Sequence, residues 1–176
     1  MNVSVFGGSQ PKPDSAAYKD ALTLGKLLAK RGDTVMTGGY IGTMEAVSRG
    51  AAEAGGHVIG VTCDEIENWR SVKANQWVEE IRHKSTLVER LQVLVKDCDA
   101  ALALPGGIGT LTEISLTWNL TVVGVLPRRP LILIGDGWQT VFDQVFRSFE
   151  EYLPSTQQDW IHFVPNVKSA VEKISL

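Results

Sequence analysis

Ala100-Ala101-Leu102-Ala103-Leu104-Pro105-Gly106-Gly107-Ile108-Gly109-Thr110 decides the reading of the whole chain, because it joins two kinds of backbone that demand different surroundings. Ala100 to Leu104 contains no polar residue, which suits a strand buried on both faces of a sheet. Glycines at 106, 107 and 109 then remove Cβ atoms where the chain leaves that strand and enters a helix predicted from Thr110 to about Leu120. A turn of this kind permits positive φ and lets backbone N–H groups face an anion at the positive end of the helix. The glycine spacing is neither that of a dinucleotide-binding turn nor that of a P-loop, and no Lys follows the last glycine.

Outward from this turn, short β-rich runs alternate with longer amphipathic ones. Strands are predicted at Val3 to Phe6, Thr34 to Thr37, Val58 to Thr62, Leu131 to Ile134 and Ile161 to Phe163. Helices are predicted from an Asp14 cap to Arg31, from Met44 to Ala54, from Thr86 to Lys96, from Trp138 to Tyr152 and from Val167 to Ile174. Cys63 to Lys84 is the least regular stretch, with a short strand expected at Val78 to Ile81, and is expected to form a loop shaping a ligand pocket. Strands separated by helices imply parallel pairing with right-handed crossovers. The expected fold class is therefore α/β, a Rossmann-like, doubly wound and mainly parallel sheet with helices on both faces, forming a single domain over 1–176. Ligands bind such sheets at the carboxyl ends of the strands. Three glycine-rich turns fall there: Gly7-Gly8-Ser9, Gly38-Gly39 and Pro105 to Gly109.

Composition narrows the function classes. The chain has 176 residues, 44% of them hydrophobic, and a net charge of −3, so one core closes easily and no overall basic field invites nucleic acid. Cys63 and Cys98 lie far apart beside apolar strands and read as reduced thiols. No apolar run approaches the roughly 18 to 20 residues that span a bilayer, and the start of the chain runs directly into a strand. The expectation is a cytoplasmic protein with no membrane or nucleic-acid partner. His57, His83 and His162 are dispersed, and no metal-ligand spacing is present. Ser9 has no Ser/His/Asp partner pattern.

Two local patterns carry more than one reading. Thr110-Leu111-Thr112-Glu113 fits a capping box, in which Glu113 reaches back to a backbone N–H, and Thr86-Leu87-Val88-Glu89 fits a second. Arg90, next to Glu89, reads locally as a helix-surface cation. Gly8 and Ser9, Gly38 and Gly39, and the run Gly106, Gly107, Ile108, Gly109 and Thr110 are candidate phosphate- or nucleotide-binding residues, or simply tight turns.

Leu104-Pro-Gly-Gly-Ile-Gly-Thr-Leu-Thr-Glu113 resembles the P-G-G-x-G-T-x-x-E motif of the LOG (Lonely Guy) family of cytokinin riboside 5′-monophosphate phosphoribohydrolases, long labelled lysine decarboxylases. The similarity runs nearly the whole length. Val5-Phe6-Gly7-Gly8-Ser9 resembles that family's V-F-C-G-S, Thr37 to Met44 its G-G-G-x-V-G-L-M, and Glu89-Arg90 falls within its M-H-E-R-K. The resemblance implies a Rossmann-like dimer, extending to higher assemblies in some cases, that hydrolyses the N-glycosidic bond of nucleoside 5′-monophosphates. It implies Arg90 and Glu113 as the catalytic pair and requires no metal or cofactor. Thr37 stands in place of the first Gly of the second motif, Glu45 in place of its closing Gly, and Leu91 in place of the Lys of M-H-E-R-K. These departures resemble branches that include molybdenum-cofactor carrier proteins. They leave a second reading open, a non-catalytic carrier of a nucleotide or pterin. A dimer contact is expected to use Leu91, Val95, Leu116 and Leu120.

Overall fold

The computed structural model describes residues 1–174. In chain order its strands are β1 (Asn2–Phe6), β2 (Thr34–Thr37), β3 (Val58–Cys63), β4 (Glu80–Lys84), β5 (Ala100–Ala103), β6 (Leu131–Ile134) and β7 (Ile161–Val164). Its helices are α1 (Ala16–Lys30), α2 (Thr43–Glu53), α3 (Asp64–Arg70), α4 (Leu87–Lys96), α5 (Ile108–Val122), α6 (Asp136–Ser148), α7 (Ser155–Gln158) and α8 (Val167–Ile174).

All seven strands pair in parallel in the order β4-β3-β2-β1-β5-β6-β7. The chain moves outward from β1 to one edge, then returns across the sheet to β5 at the other side of β1. The β1–β5 pair is thus the switch point of a doubly wound sheet, where the helices following the two strands diverge to opposite faces and leave a crevice.

Side chains alternate between the faces even where every residue is apolar. Val3, Val5, Ala100 and Leu102 join Tyr18, Leu24, Val47 and Ala170 of α1, α2 and α8 in one core. Phe6, Ala101 and Ala103 join Leu94, Ile114, Trp138 and Phe142 of α4, α5 and α6 in the other. Ser4 faces that second core, and its hydroxyl donates to the Leu94 carbonyl at 2.6 Å, so the buried polar group is satisfied. No helix is long and apolar enough to cross a membrane among the described residues. Cys63 and Cys98 are buried free thiols.

The structure corrects several boundaries. Ser15, not Asp14, caps α1, accepting from the Tyr18 N–H. The irregular stretch holds a helix, α3, that presents no buried residue and so leaves no hydrophobic periodicity to detect. The strand expected at Val78 to Ile81 lies at Glu80–Lys84, where half-exposed charged residues pair with β3 at the sheet edge. Val95 is fully buried within the chain's own core and offers nothing to a subunit contact.

Trp138 fixes the turn after β5. Its indole N–H donates to the Leu104 carbonyl at 3.1 Å, and the ring is 8% exposed. Trp138→Phe keeps most of the packing but leaves that carbonyl without its donor. It is expected to cost about 1 to 2 kcal/mol in urea unfolding.

Candidate functional site

Pairing of Phe6 with Ala103 ends β1 and β5 at the same level, so the turns that follow them meet. The Gly8 N–H donates to the Pro105 carbonyl at 3.2 Å, and the Gly8 carbonyl accepts from the Thr43 N–H and hydroxyl at 3.0 and 2.9 Å. One residue therefore joins the turns after β1, β2 and β5. Gly42, at φ +75, packs so closely on Ser9 that a Cβ would lie 2.6 Å from its Cα. A side chain there meets both a steric and a backbone obstacle.

The turn after β5 delivers Gly107 as the N-cap of α5 with no side-chain hydrogen bond to the first turn. The N–H groups of Ile108, Gly109 and Thr110 therefore lack intrahelical acceptors. Pro105 to Gly109 is exposed, whereas Thr110 is buried and leans over Gly106. This is the combination of exposed donors and positive helix end that attracts a phosphate.

The start of α5 at Ile108 also settles the first of the two capping patterns. Thr110 lies inside the helix rather than at its cap, and Glu113 turns inward, 8% exposed, instead of reaching back to a backbone N–H. The second pattern holds in full: the Thr86 hydroxyl accepts from the Glu89 N–H and the Glu89 carboxylate accepts from the Thr86 N–H. That cap sets the rotation of α4, which buries the next residue, Arg90, at 5% exposure.

Arg90 and Glu113 come from different helices and meet beneath the turns. Arg90 Nε donates to the Val61 carbonyl of β3 at 2.7 Å, its guanidinium lies 5.6 Å from the Tyr40 ring centroid, and Nη1 faces Glu113 Oε1 at 3.9 Å. That last distance is too long for a hydrogen bond and leaves the two groups facing one another across a gap. Burial pushes the Glu113 carboxyl up to about 7, with Arg90 pulling the other way. A carboxyl titrating near neutrality can take a proton from water or hold a developing cation, depending on its ionisation.

The remaining expected residues build the wall. Gly38 makes room for Arg90, since a Cβ there would strike Nη2 and come within 2.6 Å of the Met44 sulfur. The Gly39 N–H donates to the Thr37 hydroxyl at 3.1 Å, and its carbonyl accepts from the Asn75 N–H and side-chain amide at 2.8 and 2.9 Å. The Tyr40 hydroxyl donates to the Cys63 carbonyl and accepts from the Cys63 N–H, tying the turn after β2 to β3. Ser9 Oγ accepts from Arg70 Nη1 at 2.8 Å. Tyr40, Thr43, Arg70 and Asn75 escaped the sequence reading, because only the parallel pairing of β2, β3 and β1 brings their segments to one edge. Glu45 does not face the pair; it accepts from the Tyr18 hydroxyl at 3.3 Å, against α1. The departure at that position therefore alters a helix contact rather than the crevice.

Gly38→Ala forces the guanidinium away from its place between Val61 and Glu113. The expected outcome is about 1 to 3 kcal/mol lost in thermal or urea unfolding, together with weakened nucleotide binding in calorimetric titration.

Comparison with known proteins agrees with this geometry. The SLOG cluster4 family model matches residues 1–151. The chain is 42% identical over 142 residues to the rice (Oryza sativa subsp. japonica) cytokinin riboside 5′-monophosphate phosphoribohydrolase LOG, covering 80% of this chain and 57% of that one. It is 30% identical over 175 residues to Arabidopsis thaliana LOG3, an enzyme of the same name, covering 98% and 80%. Against the rice probable phosphoribohydrolase LOGL5 it is 36% identical over 119 residues and spans about half of that protein, 48%. Among solved structures, TM1055 superposes with a TM-score of 0.75 at 28% identity, covering 99% and 98%. The molybdenum cofactor binding protein of Rippkaea orientalis shares the fold, with a TM-score of 0.76 at 24% identity, covering 99% and 94%. With its three glycine turns, its buried Arg–Glu pair and a family match over most of its length, the chain belongs to the SLOG cluster4 family of LOG-like proteins.

Proposed function

We propose that this protein hydrolyses the N-glycosidic bond of nucleoside 5′-monophosphates, releasing the free base and ribose 5-phosphate. The observation that carries the reading is the buried Arg90–Glu113 pair, 3.9 Å apart, beneath an uncapped helix N-terminus exposed to solvent. The names of the LOG relatives state the same activity for those proteins.

The phosphate occupies the N–H groups of Gly107, Ile108, Gly109 and Thr110, with the walls of Gly8, Ser9, Gly38 and Gly39 beside it. Binding energy from this remote group holds the sugar over the pair. As the bond from C1′ to the base nitrogen breaks, the sugar becomes cationic, and an ionised Glu113 stabilises it. Water adds to C1′ and gives one proton to the Glu113 carboxylate, which passes it on to the departing base and is restored as the carboxylate. Arg90 holds the ribose phosphate or assists the departing base. The chemistry needs only water and these side chains.

Incubation with AMP, GMP, CMP and UMP tests this directly. Base release from at least one is expected, and binding without any release overturns the hydrolase reading in favour of carriage. Glu113→Gln is expected to lower turnover at least 100-fold while changing nucleotide affinity much less. Because the active form is the carboxylate and its carboxyl titrates at about 7, turnover rises with pH through that value and levels above it.

We infer also that the protein works in the cytoplasm as a homodimer, or a higher assembly of dimers. Val88, Ile108 and Val123, at 62%, 80% and 60% exposure, supply apolar surface on α4 and at the two ends of α5. Light scattering is expected to return twice the chain mass of 19.2 kDa or a multiple of it. A mass of one chain overturns the assembly.

A further inference from the structure

α3 carries charge in an ordered way. Its three carboxylates each have a partner other than Arg70: Asp64 with His83 Nε2 at 2.9 Å, Glu65 with the Leu87 N–H at 2.7 Å, and Glu67 with Lys73 at 2.6 Å. Its one cation, Arg70, reaches the turn after β1, donating to Ser9 Oγ at 2.8 Å across 61 residues of sequence. The Trp69 ring lies 4.4 Å beneath the Arg70 guanidinium, which holds it extended. Among the described residues no carboxylate pairs with Arg70, in contrast to Arg31, Arg49, Arg82 and Arg90.

Ser9 follows Gly8, the residue whose N–H meets Pro105 and whose Cα position faces Gly106 at 3.4 Å from a built Cβ. Neighbouring Cα atoms lie about 3.8 Å apart, so Arg70 ends at the rim of the same crevice that α5 enters from the other side. A hydroxyl satisfies one of five guanidinium donors and none of its charge. A phosphate oxygen supplies a shorter, charge-assisted bond and admits a bidentate pair.

We propose that Arg70 is a second phosphate-binding residue, facing the N–H groups of α5 across the crevice, and that it exchanges Ser9 Oγ for the 5′-phosphate when a nucleotide binds. This rests on the proposed phosphate site but not on turnover. It gives α3 a function that its lack of buried residues otherwise leaves unexplained: the helix is a polar outer wall that presents one cation to the ligand. The consequence is discrimination for a phosphorylated nucleoside over the free nucleoside.

Calorimetric titration of the full protein with AMP, inorganic phosphate and adenosine tests it. Arg70→Ala is expected to weaken AMP and phosphate about tenfold or more, the scale of one charge-assisted hydrogen bond, and to leave adenosine unchanged. Lys73→Ala removes a cation of the same segment that is 85% exposed and bound to Glu67. It is expected to leave AMP affinity within about twofold, which separates a direct contact from loss of overall charge. An unchanged melting temperature for Arg70→Ala is expected, since Arg70 is exposed at the end of α3 and that helix holds no fully buried residue. Equal AMP affinity in Arg70→Ala and the parent, or equal losses for AMP and adenosine, overturns the role of Arg70. Failure of the parent protein to bind AMP or phosphate overturns the phosphate site itself and Arg70 with it.

Discussion

The pairing of β1 with β5 is the constraint from which the site follows. These two strands are neighbours in the sheet but are separated by more than ninety residues, and the helices after them pass to opposite faces. The gap between their carboxyl ends cannot be filled by either helix, so loops must close it without covering it. Gly8 does so with its own backbone, its N–H bonded to Pro105 and its carbonyl to Thr43. Small residues on all three turns allow the backbones to approach while leaving the donors at the start of α5 exposed. The precision with which these turns meet therefore comes from strand register, held by the two cores beneath them.

Electrostatics then divides the crevice into two zones. At its surface, exposed N–H groups and Arg70 offer positive potential in contact with water. Beneath, Arg90 and Glu113 are withdrawn from solvent and held apart by anchors to the rest of the fold, the Val61 carbonyl on one side and α5 on the other. The 3.9 Å gap matters because a closed salt bridge fixes both charges on each other and lowers the carboxyl. Held open and desolvated, Glu113 keeps a proton affinity suited to chemistry at neutral pH. In the proposed reaction a remote phosphate grip and a buried, poised carboxyl are separate contributions, one to positioning and one to stabilising charge.

The relation to proteins of the same fold is consistent with this division. The fold is common to enzymes named for nucleotide hydrolysis and to proteins named for binding a molybdenum cofactor. A shared frame does not by itself fix the chemistry, which depends on the side chains at the site. In this chain Glu45, at a position where the sequence departs from the LOG pattern, turns toward α1 and leaves the pair undisturbed.

The amino-acid sequence alone determined the alternation of strands and helices, the polarity-free strand at Ala100, the three glycine turns and the Thr86 cap. Each of these is a local matter of periodicity, Cβ volume or a hydroxyl at a helix start, and each is legible within a few residues. α3 was not legible and the edge strand β4 only in part, its bounds displaced from Val78–Ile81 to Glu80–Lys84, because neither buries a continuous apolar face and so neither leaves a clear period in the sequence. The site was half legible: the donors of the turn after β5 lie in one stretch, but the burial of Arg90 and Glu113 does not. Read locally, both had reasonable roles on a helix surface or in a cap, and only likeness to a family marked them out. Tertiary structure decided between those roles because burial is a property of neighbours. α5 starts at Ile108, two residues earlier than Thr110 suggests, turning Glu113 inward, and α4 rotates Arg90 toward Val61 of a strand nearly thirty residues away. No local pattern encodes that meeting, since the carboxyl acquires its unusual proton affinity only when the sheet and two helices together exclude water from it.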